Sequence, residues 1–523
     1  MKLLRGFSTL FLFATSALSA QIQPDTSSPV FRVSTRVVVL DVVVRDRKGN
    51  LVTGLGKDGF SVTEDGVPQK IISFTATVPS HIPVPAMSAP TVTSTADLSK
   101  TGEAPVTLLV LDELNTPWSE MAAVRQALEK YLAAQPPIMA QPMELLFVGS
   151  NKFAVIQQFT QDRSSMQSAL KKHFPASPFQ LMLNDGSSQV VPRMSQTLGS
   201  LMQISEATAN YPGRKNIIWV GHGFPSLSSA ALDDDEAMQK IDDAIRKTTS
   251  AMLASRMTLN TIDPTLLSPA MTDNSGSEDE TLTADNNGAS LQEAGDVKFT
   301  ALAPATGGRA FWLDNFIDKE IATSVAEGST YYTLSYSPTN HSDDPKPLRK
   351  IHIIMRDPAL TATTRTGYFA EPLNKTAETV KTASGLSELK FDLTAAALSN
   401  MSYNGLSVTV SRDPAQSGHA TGSVVYDVAI GAGGLNWHPA GTANMAEVSI
   451  MVQSFSAKGK PLSNAVSEHN ATSAAQPSEL QTRSARFHVP VTVPPNAERI
   501  RFVVRDLFNG HVGTFDLNLR ESR

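Results

Sequence analysis

Thr107-Leu108-Leu109-Val110-Leu111-Asp112 decides the fold. An apolar run without alternation suits a strand covered on both faces, and here a carboxylate ends it. Helical periodicity follows over residues 118–134, and a second apolar strand over 144–149. Helices are expected at 164–173 and 195–210. Lys215-Asn216-Ile217-Ile218-Trp219-Val220 is another buried strand, ending at Gly221-His222-Gly223. A long helix over 235–254 leads to a strand at 258–262 and to Asp263-Pro264. Strand alternating with helix predicts a parallel sheet with helices on both faces. Such sheets bind ligands at the carboxyl ends of their strands. Residues 268–296 are polar and acidic and read as a mobile insertion. The domain then resumes through Thr306-Gly307-Gly308, a strand at 309–312, a helix at 316–327, an apparent strand pair at 331–336 and 350–355, and a closing piece at 365–369.

The α/β domain thus spans residues 105–370. A β module over 31–77 precedes it, carrying the β-branched run 37–44, the turn Asp46-Arg47-Lys48-Gly49-Asn50 and the reversal Asp65-Gly66. Residues 78–104, rich in Pro, Ser and Thr, read as a linker. From 390 to 523 short strands separated by Gly, Pro and Asn turns predict a second sandwich. Arg47-Lys48-Gly49-Asn50 has an echo in Ala457-Lys458-Gly459-Lys460, which either marks the same kind of hairpin in both modules or arises by chance. The fold class expected is therefore multidomain: a central, doubly wound α/β sheet of Rossmann type flanked by β-sandwich-like domains.

Residues 1–20 have the form of a cleavable export signal. Lys2 and Arg5 precede an apolar stretch that ends in Ala17-Leu18-Ser19-Ala20. Secretion or periplasmic retention is expected, and no later segment reads as a membrane span. The chain has no cysteine, which excludes disulfides, thiolate nucleophiles and Cys-based metal sites. Its formal net charge of −6, without a basic cluster, argues against nucleic acid as a partner.

The order of several short motifs resembles the acidobacterial-type family of exported von Willebrand factor A (VWA)-related proteins. The matching pieces are residues 54–60 with Glu64-Asp65-Gly66, residues 111–117, and Gly213-Arg214-Lys215-Asn216-Ile217-Ile218-Trp219 with Gly223-Phe224-Pro225. Ile262-Asp263-Pro264, Thr306-Gly307-Gly308, residues 332–338 and residues 365–369 follow in order. The resemblance implies protein interaction or adhesion, and a metal-ion-dependent adhesion site with an Asp-x-Ser-x-Ser loop, a second-loop Thr and a third-loop Asp around Mg²⁺. Asp112 and Thr116 match two of these metal positions, and Thr197 is the candidate second-loop Thr. Leu114 replaces a serine, and His222 stands where the third-loop Asp belongs. The site is therefore degenerate, and any Mg²⁺ is expected to bind weakly. The alternative is that Asp112 caps the following helix, with a cost of about 1 kcal/mol on removal.

No Gly-x-Ser-x-Gly elbow, His-Glu-x-x-His helix, phosphate loop or dinucleotide fingerprint is present. The chain thus reads as a non-enzymatic binder of a protein partner, with Asp112, Asn115, Thr116, His222 and Phe224 as the contact residues at the sheet's carboxyl edge. Two alternatives are a structural scaffold of the cell envelope and a hydrolase using His222 with Ser226 and Asp112. The binder predicts an exposed patch at that edge, whereas the scaffold predicts an apolar patch on a β module.

Overall fold

The computed structural model describes residues 37–77, 92, 95–149, 152–174, 190–225, 235–265, 298–312, 316–339, 348–369, 383–412, 423–480 and 482–520. The expected signal at 1–20 and insertion at 268–296 lie outside them.

The N-terminal strands are β1 (Val38–Arg45), β2 (Phe60–Glu64), β3 (Val67–Gln69) and β4 (Ile71–Thr77). The chain then builds the α/β domain. It runs through β5 (Val106–Asp112), α1 (Trp118–Ala134), β6 (Ile138–Gly149), β7 (Lys152–Asp162), α2 (Arg163–Lys172) and α3 (Val190–Ala207). It continues with β8 (Lys215–Val220), α4 (Asp235–Ala254), β9 (Met257–Ile262), α5 (Leu302–Thr306), β10 (Ala310–Phe311) and α6 (Ile317–Ser329). The sheet order is β10-β9-β8-β5-β6-β7. All pairs are parallel except β6 with β7. This is the doubly wound order, with its switch point between β5 and β8.

Every residue of β5, β8 and β9 is buried, the polar ones of β8 and β9 included, as strands covered on both faces require. Alternate residues serve opposite faces. Leu108, Val110, Ile217 and Trp219 pack with Leu198 and Leu201 of α3 and Ile241 and Ile245 of α4. Leu109, Leu111, Ile218 and Val220 pack with Val124 and Leu128 of α1, Met166 and Leu170 of α2, and Ile321 of α6. Of the two edge strands, β10 answers the strand expected at 309–312, while β7 escapes the sequence pattern. β7 mixes glutamines among its apolar residues, and β10 has two residues.

The strands after α6 are β11 (Tyr331–Tyr336), β12 (Leu348–Met355), β13 (Thr361–Thr363) and β14 (Gly367–Phe369). The sequence placed them in the α/β domain, with the first two as a pair. The structure pairs them with the N-terminal strands instead, in two sheets of order β13-β1-β11-β4 and β14-β12-β2-β3. Between these sheets lie Leu40, Val42, Phe60, Val62, Tyr332, Leu334, Tyr336 and Ile351. The reason is area. Four short strands bury too little apolar surface alone, and the second set doubles the interior. Asp41 with Arg256 at 2.8 Å, and Glu327 between Arg45 (2.6 Å) and Arg309 (2.8 Å), fasten this sandwich to the α/β domain.

The supposed linker also packs. Val92 and Leu98 are buried in the α/β core, and Val92 exchanges hydrogen bonds with Gln161 on β7. Two apolar side chains among many polar ones left too weak a pattern to read. Residues beyond 390 are not all β. A helix, α7 (Ala383–Leu398), crosses the expected boundary, as its Ala and Leu content favours. Leu389, Leu393, Ala396 and Ala397 of α7 join the α/β core. Arg501 donates to the carbonyls of Ala396, Ser399 and Met401 at its end. Asn400 accepts from the Val155 N–H (2.9 Å) and donates to its carbonyl (2.8 Å), occupying the open edge of β7.

The C-terminal strands are β15 (Val408–Arg412), β16 (Ser423–Ile430), β17 (His438–Ala440), β18 (Ala443–Phe455) and β19 (Pro461–Ser473). After the short α8 (Pro477–Leu480) come β20 (Ala485–Thr492), β21 (Arg499–Asp506) and β22 (Val512–Asn518). They form the sheets β15-β16-β20 and β17-β18-β21-β22, with β19 on β18. The repeated turn is real. Asp46 N–H bonds the Asn50 carbonyl and Ser456 N–H the Lys460 carbonyl, both at 2.9 Å, with Gly49 and Gly459 at φ of 82° and 72°.

Glu144 on β6 is buried, with Oε2 unpartnered, and burial pushes its pKa from 4.5 up to about 8. Between those values the unfolded chain releases a proton that the folded chain keeps, so this group costs stability as pH rises. Glu144→Gln is expected to gain on the wild type by up to about 1.4 kcal/mol per pH unit from pH 4.5 to 8. Urea melts at pH 5 and pH 8 that give equal differences would contradict this.

Candidate functional site

β5 carries Asp112 to the carboxyl end of the sheet, at the switch point, and buries it completely. Its Oδ1 accepts from the N–H groups of Leu114 (3.1 Å) and Asn115 (2.9 Å). Its Oδ2 accepts from the Gly223 N–H (2.6 Å) and the Trp219 indole N–H (3.3 Å). Burial pushes the carboxyl pKa up, against the pull of the Asn115 and Gly223 N–H groups. Asp112 therefore closes the turn before α1 and ties it to the loop after β8. It does not cap α1, whose N-cap is Pro117.

The neighbours extend this tie. Asn115 Nδ2 donates to the Gly223 carbonyl (2.6 Å) and to Thr197 Oγ1 (3.0 Å), and Thr197 Oγ1 donates to the same carbonyl (2.7 Å). Thr116 Oγ1 accepts from the His222 N–H (3.2 Å). Thr197 reaches these loops from within α3 and not from a loop of its own. Arg193, missed in the sequence, donates from Nε to Asn115 Oδ1 (3.1 Å) and from Nη2 to the Leu114 carbonyl (3.0 Å). It lies four residues before Thr197 on one helix face, which was the available signal. Gly221, at φ 138°, has no room for a Cβ, which would strike Thr116 and Asp112. At Gly223, φ 74°, a Cβ would enter the Phe299 ring. Phe299 in turn packs on Trp219 and Phe224, each at 5.1 Å.

These residues do not fit a cation. Both Asp112 oxygens face hydrogen donors, and Leu114 offers no side-chain oxygen. Asp112 and Thr116 are therefore structural in this arrangement. Asp112, Asn115, Thr116 and Phe224 are all buried, so a partner cannot touch them as expected. Of the five expected contact residues, His222 alone has appreciable side-chain exposure, at 29%. Its Nε2 lies 2.8 Å from Glu120 Oε2, 3.3 Å from Thr265 Oγ1 and 3.6 Å from Asp263 Oδ1. Glu120 and Asp263 were not singled out as site residues. Glu120 looked like an ordinary first-turn helix acid, and Asp263 like a strand terminus. Ser226 lies outside the described residues. The oxygens of Asp112 are committed elsewhere, so the supposed Ser–His–Asp set lacks its His–Asp hydrogen bond.

No family model matches the sequence, and no curated protein matches it. Among solved structures, the chain is similar to the SpRpn10 VWA domain, at 14% identity over 32% of this chain and 90% of that one, with a TM-score of 0.16. It is also similar to the human COPII-coat protein Sec24c, at 9% identity over 51% of this chain and 44% of that one, with a TM-score of 0.25. At these scores neither likeness carries an argument, and the fold rests on the strand order.

Removing the Asp112 carboxylate would leave buried N–H groups without acceptors. Asp112→Ala is expected to cost about 2–4 kcal/mol, more than a helix cap. Calorimetric titration of the wild type with Mg²⁺ is expected to give no stoichiometric binding. A tight Mg²⁺ site lost in Asp112→Ala would overturn this assignment.

Proposed function

We propose that this chain is an exported, non-enzymatic, VWA-like protein-interaction module that meets its partner at the carboxyl edge of the α/β sheet without a metal. The observation that carries the reading is a set of exposed apolar side chains there. Trp118 (43% exposed) opens α1 directly after the Asp112 loop. Trp312 (46%) follows β10, and Phe316 (51%) is the N-cap of α6. Val191 stands in the first turn of α3, beside Arg193. Phe174 (77%) follows His173, which bonds Glu113 at 2.7 Å next to the same loop. Among the described residues, four of the five exposed Trp and Phe side chains are at this edge, the exception being Phe391. Exposed aromatics gathered at one place are a mark of interfaces, whereas scattered ones need no explanation.

The edge is poorly suited to hydrolysis. Glu120 and Thr265 crowd the same ring nitrogen of His222, where a proton relay needs its acid and its nucleophile on opposite nitrogens. The scaffold alternative draws less support, because the exposed apolar side chains of the β modules, Val37, Val67, Ile72, Ile354 and Val466, include no aromatic.

Photo-crosslinking residues placed at 118, 312, 72 and 466 in the full chain, in the cell that makes it, test the reading. Cross-links to another protein are expected from 118 and 312. Cross-links confined to 72 and 466 would favour the scaffold. Export is tested separately, since the N-terminus of the exported chain is expected near Gln21. Finding Met1 there would remove the signal peptide.

A further inference from the structure

The carboxyl edge can be read as a row, because neighbouring strands lie about 4.8 Å apart. In sheet order, β10 delivers Trp312, β9 delivers Asp263 and Thr265, β8 delivers His222, and β5 leads into Trp118 and Glu120. Asp263 is held beside β10 by its N–H, which bonds the Phe311 carbonyl at 2.9 Å. The row therefore carries a half-exposed tryptophan at each end, Trp312 after β10 and Trp118 at the start of α1, with the part-exposed Asp263 and Glu120 converging on His222. From β5 to β10 the row spans about 15 Å, which an extended stretch of some five residues covers.

Resting on the interaction reading above, we infer that this edge takes a basic segment of a partner protein, with arginine or lysine heads on Glu120 and Asp263 and their stems against Trp118 and Trp312.

Charge selects this occupant. Both carboxylates lie within 3.6 Å of one nitrogen, so a single guanidinium reaches both. Indole faces attract cations and cover the apolar stems of Arg and Lys. The edge also holds basic groups. Arg193 is engaged by Asn115 and Leu114, His173 is engaged by Glu113, and Lys319 lies 4.0 Å from the Phe316 ring centroid. A second copy of the chain, at a formal −6, is a poor occupant by the same reasoning.

The test is fluorescence anisotropy of the purified full chain with a labelled peptide of alternating Arg and Ser, beside one of alternating Glu and Ser. The Arg peptide is expected to bind, more weakly as salt rises, and the Glu peptide not to bind. Glu120→Gln combined with Asp263→Asn is expected to weaken binding at least tenfold, roughly 1.4 kcal/mol. Trp118→Ala with Trp312→Ala should do the same, while Trp118→Phe, which keeps a ring, should retain most of the affinity. Glu468→Gln, an exposed acid on β19, should change nothing. Equal losses from Glu468→Gln, or no binding of the Arg peptide, would overturn the inference. Binding of the Glu peptide that is lost in the tryptophan variants would overturn the basic segment and leave the edge as an interface. Binding indifferent to both tryptophans would overturn both.

Discussion

Everything at the carboxyl edge depends on one buried carboxylate being fully satisfied by hydrogen donors. An ionised side chain taken out of water is costly unless it is paired or well bonded. Asp112 meets three backbone N–H groups and one indole N–H. Those donors belong to the two strands at the switch point and to their loops, so the same bonds fix where the loops after β5 and β8 lie. Gly221 and Gly223 are needed because the loop must pass close to Asp112, Thr116 and Phe299. His222 is carried between these glycines, and its ring turns outward to Glu120 and Asp263.

The two sandwiches lean on the α/β body in different ways. The N-terminal sandwich attaches through buried ion pairs, Arg45–Glu327 and Asp41–Arg256. Removing one partner from such a pair costs more than the pair itself contributes, so these contacts fix position more than they add stability. The C-terminal sandwich attaches through apolar packing of α7 and through Asn400 on the edge of β7. That asparagine also occupies backbone groups which would otherwise be open to another strand.

β5, β6 and β8 were legible by their apolar runs, which burial on both faces favours, whereas β9, with Thr258, Asn260 and Thr261 in it, was placed as the strand after the long helix. β7 was not legible, since edge strands tolerate polar residues, whereas the short β10 was read as part of the strand at 309–312. β11 and β12 were visible as strands and residues 365–369 as a closing piece, while β13 went unread; pairing across a whole domain leaves no local mark, and these pieces were given to the wrong neighbour. α7 was lost because a domain boundary was drawn through it at residue 390. At the site, Asp112, Thr116, Thr197 and His222 were singled out by matching the adhesion-site pattern that the resemblance implies, and the structure brings them together. Their burial was not legible, because a carboxylate at a strand end looks the same whether it faces solvent or an indole. Glu120 and Asp263 become distinctive only through their shared distance to His222.

The division of the N-terminal sandwich has a consequence for how the chain is made. Arg45 and Glu327 are 282 positions apart, and β1 pairs with β11 immediately after that helix. β1 and β4, which both pair with β11, therefore wait until the whole α/β body has emerged, while β2 has only its neighbour β3. Long-range pairing of this kind is slow, and unpaired edges are aggregation-prone while they wait. The α/β body, whose neighbouring strands are closer in sequence, can form first and bring the two halves of the sandwich together as its own ends meet. Folding order then runs from the middle of the gene product outward, and the module at the front of the chain is among the last to close.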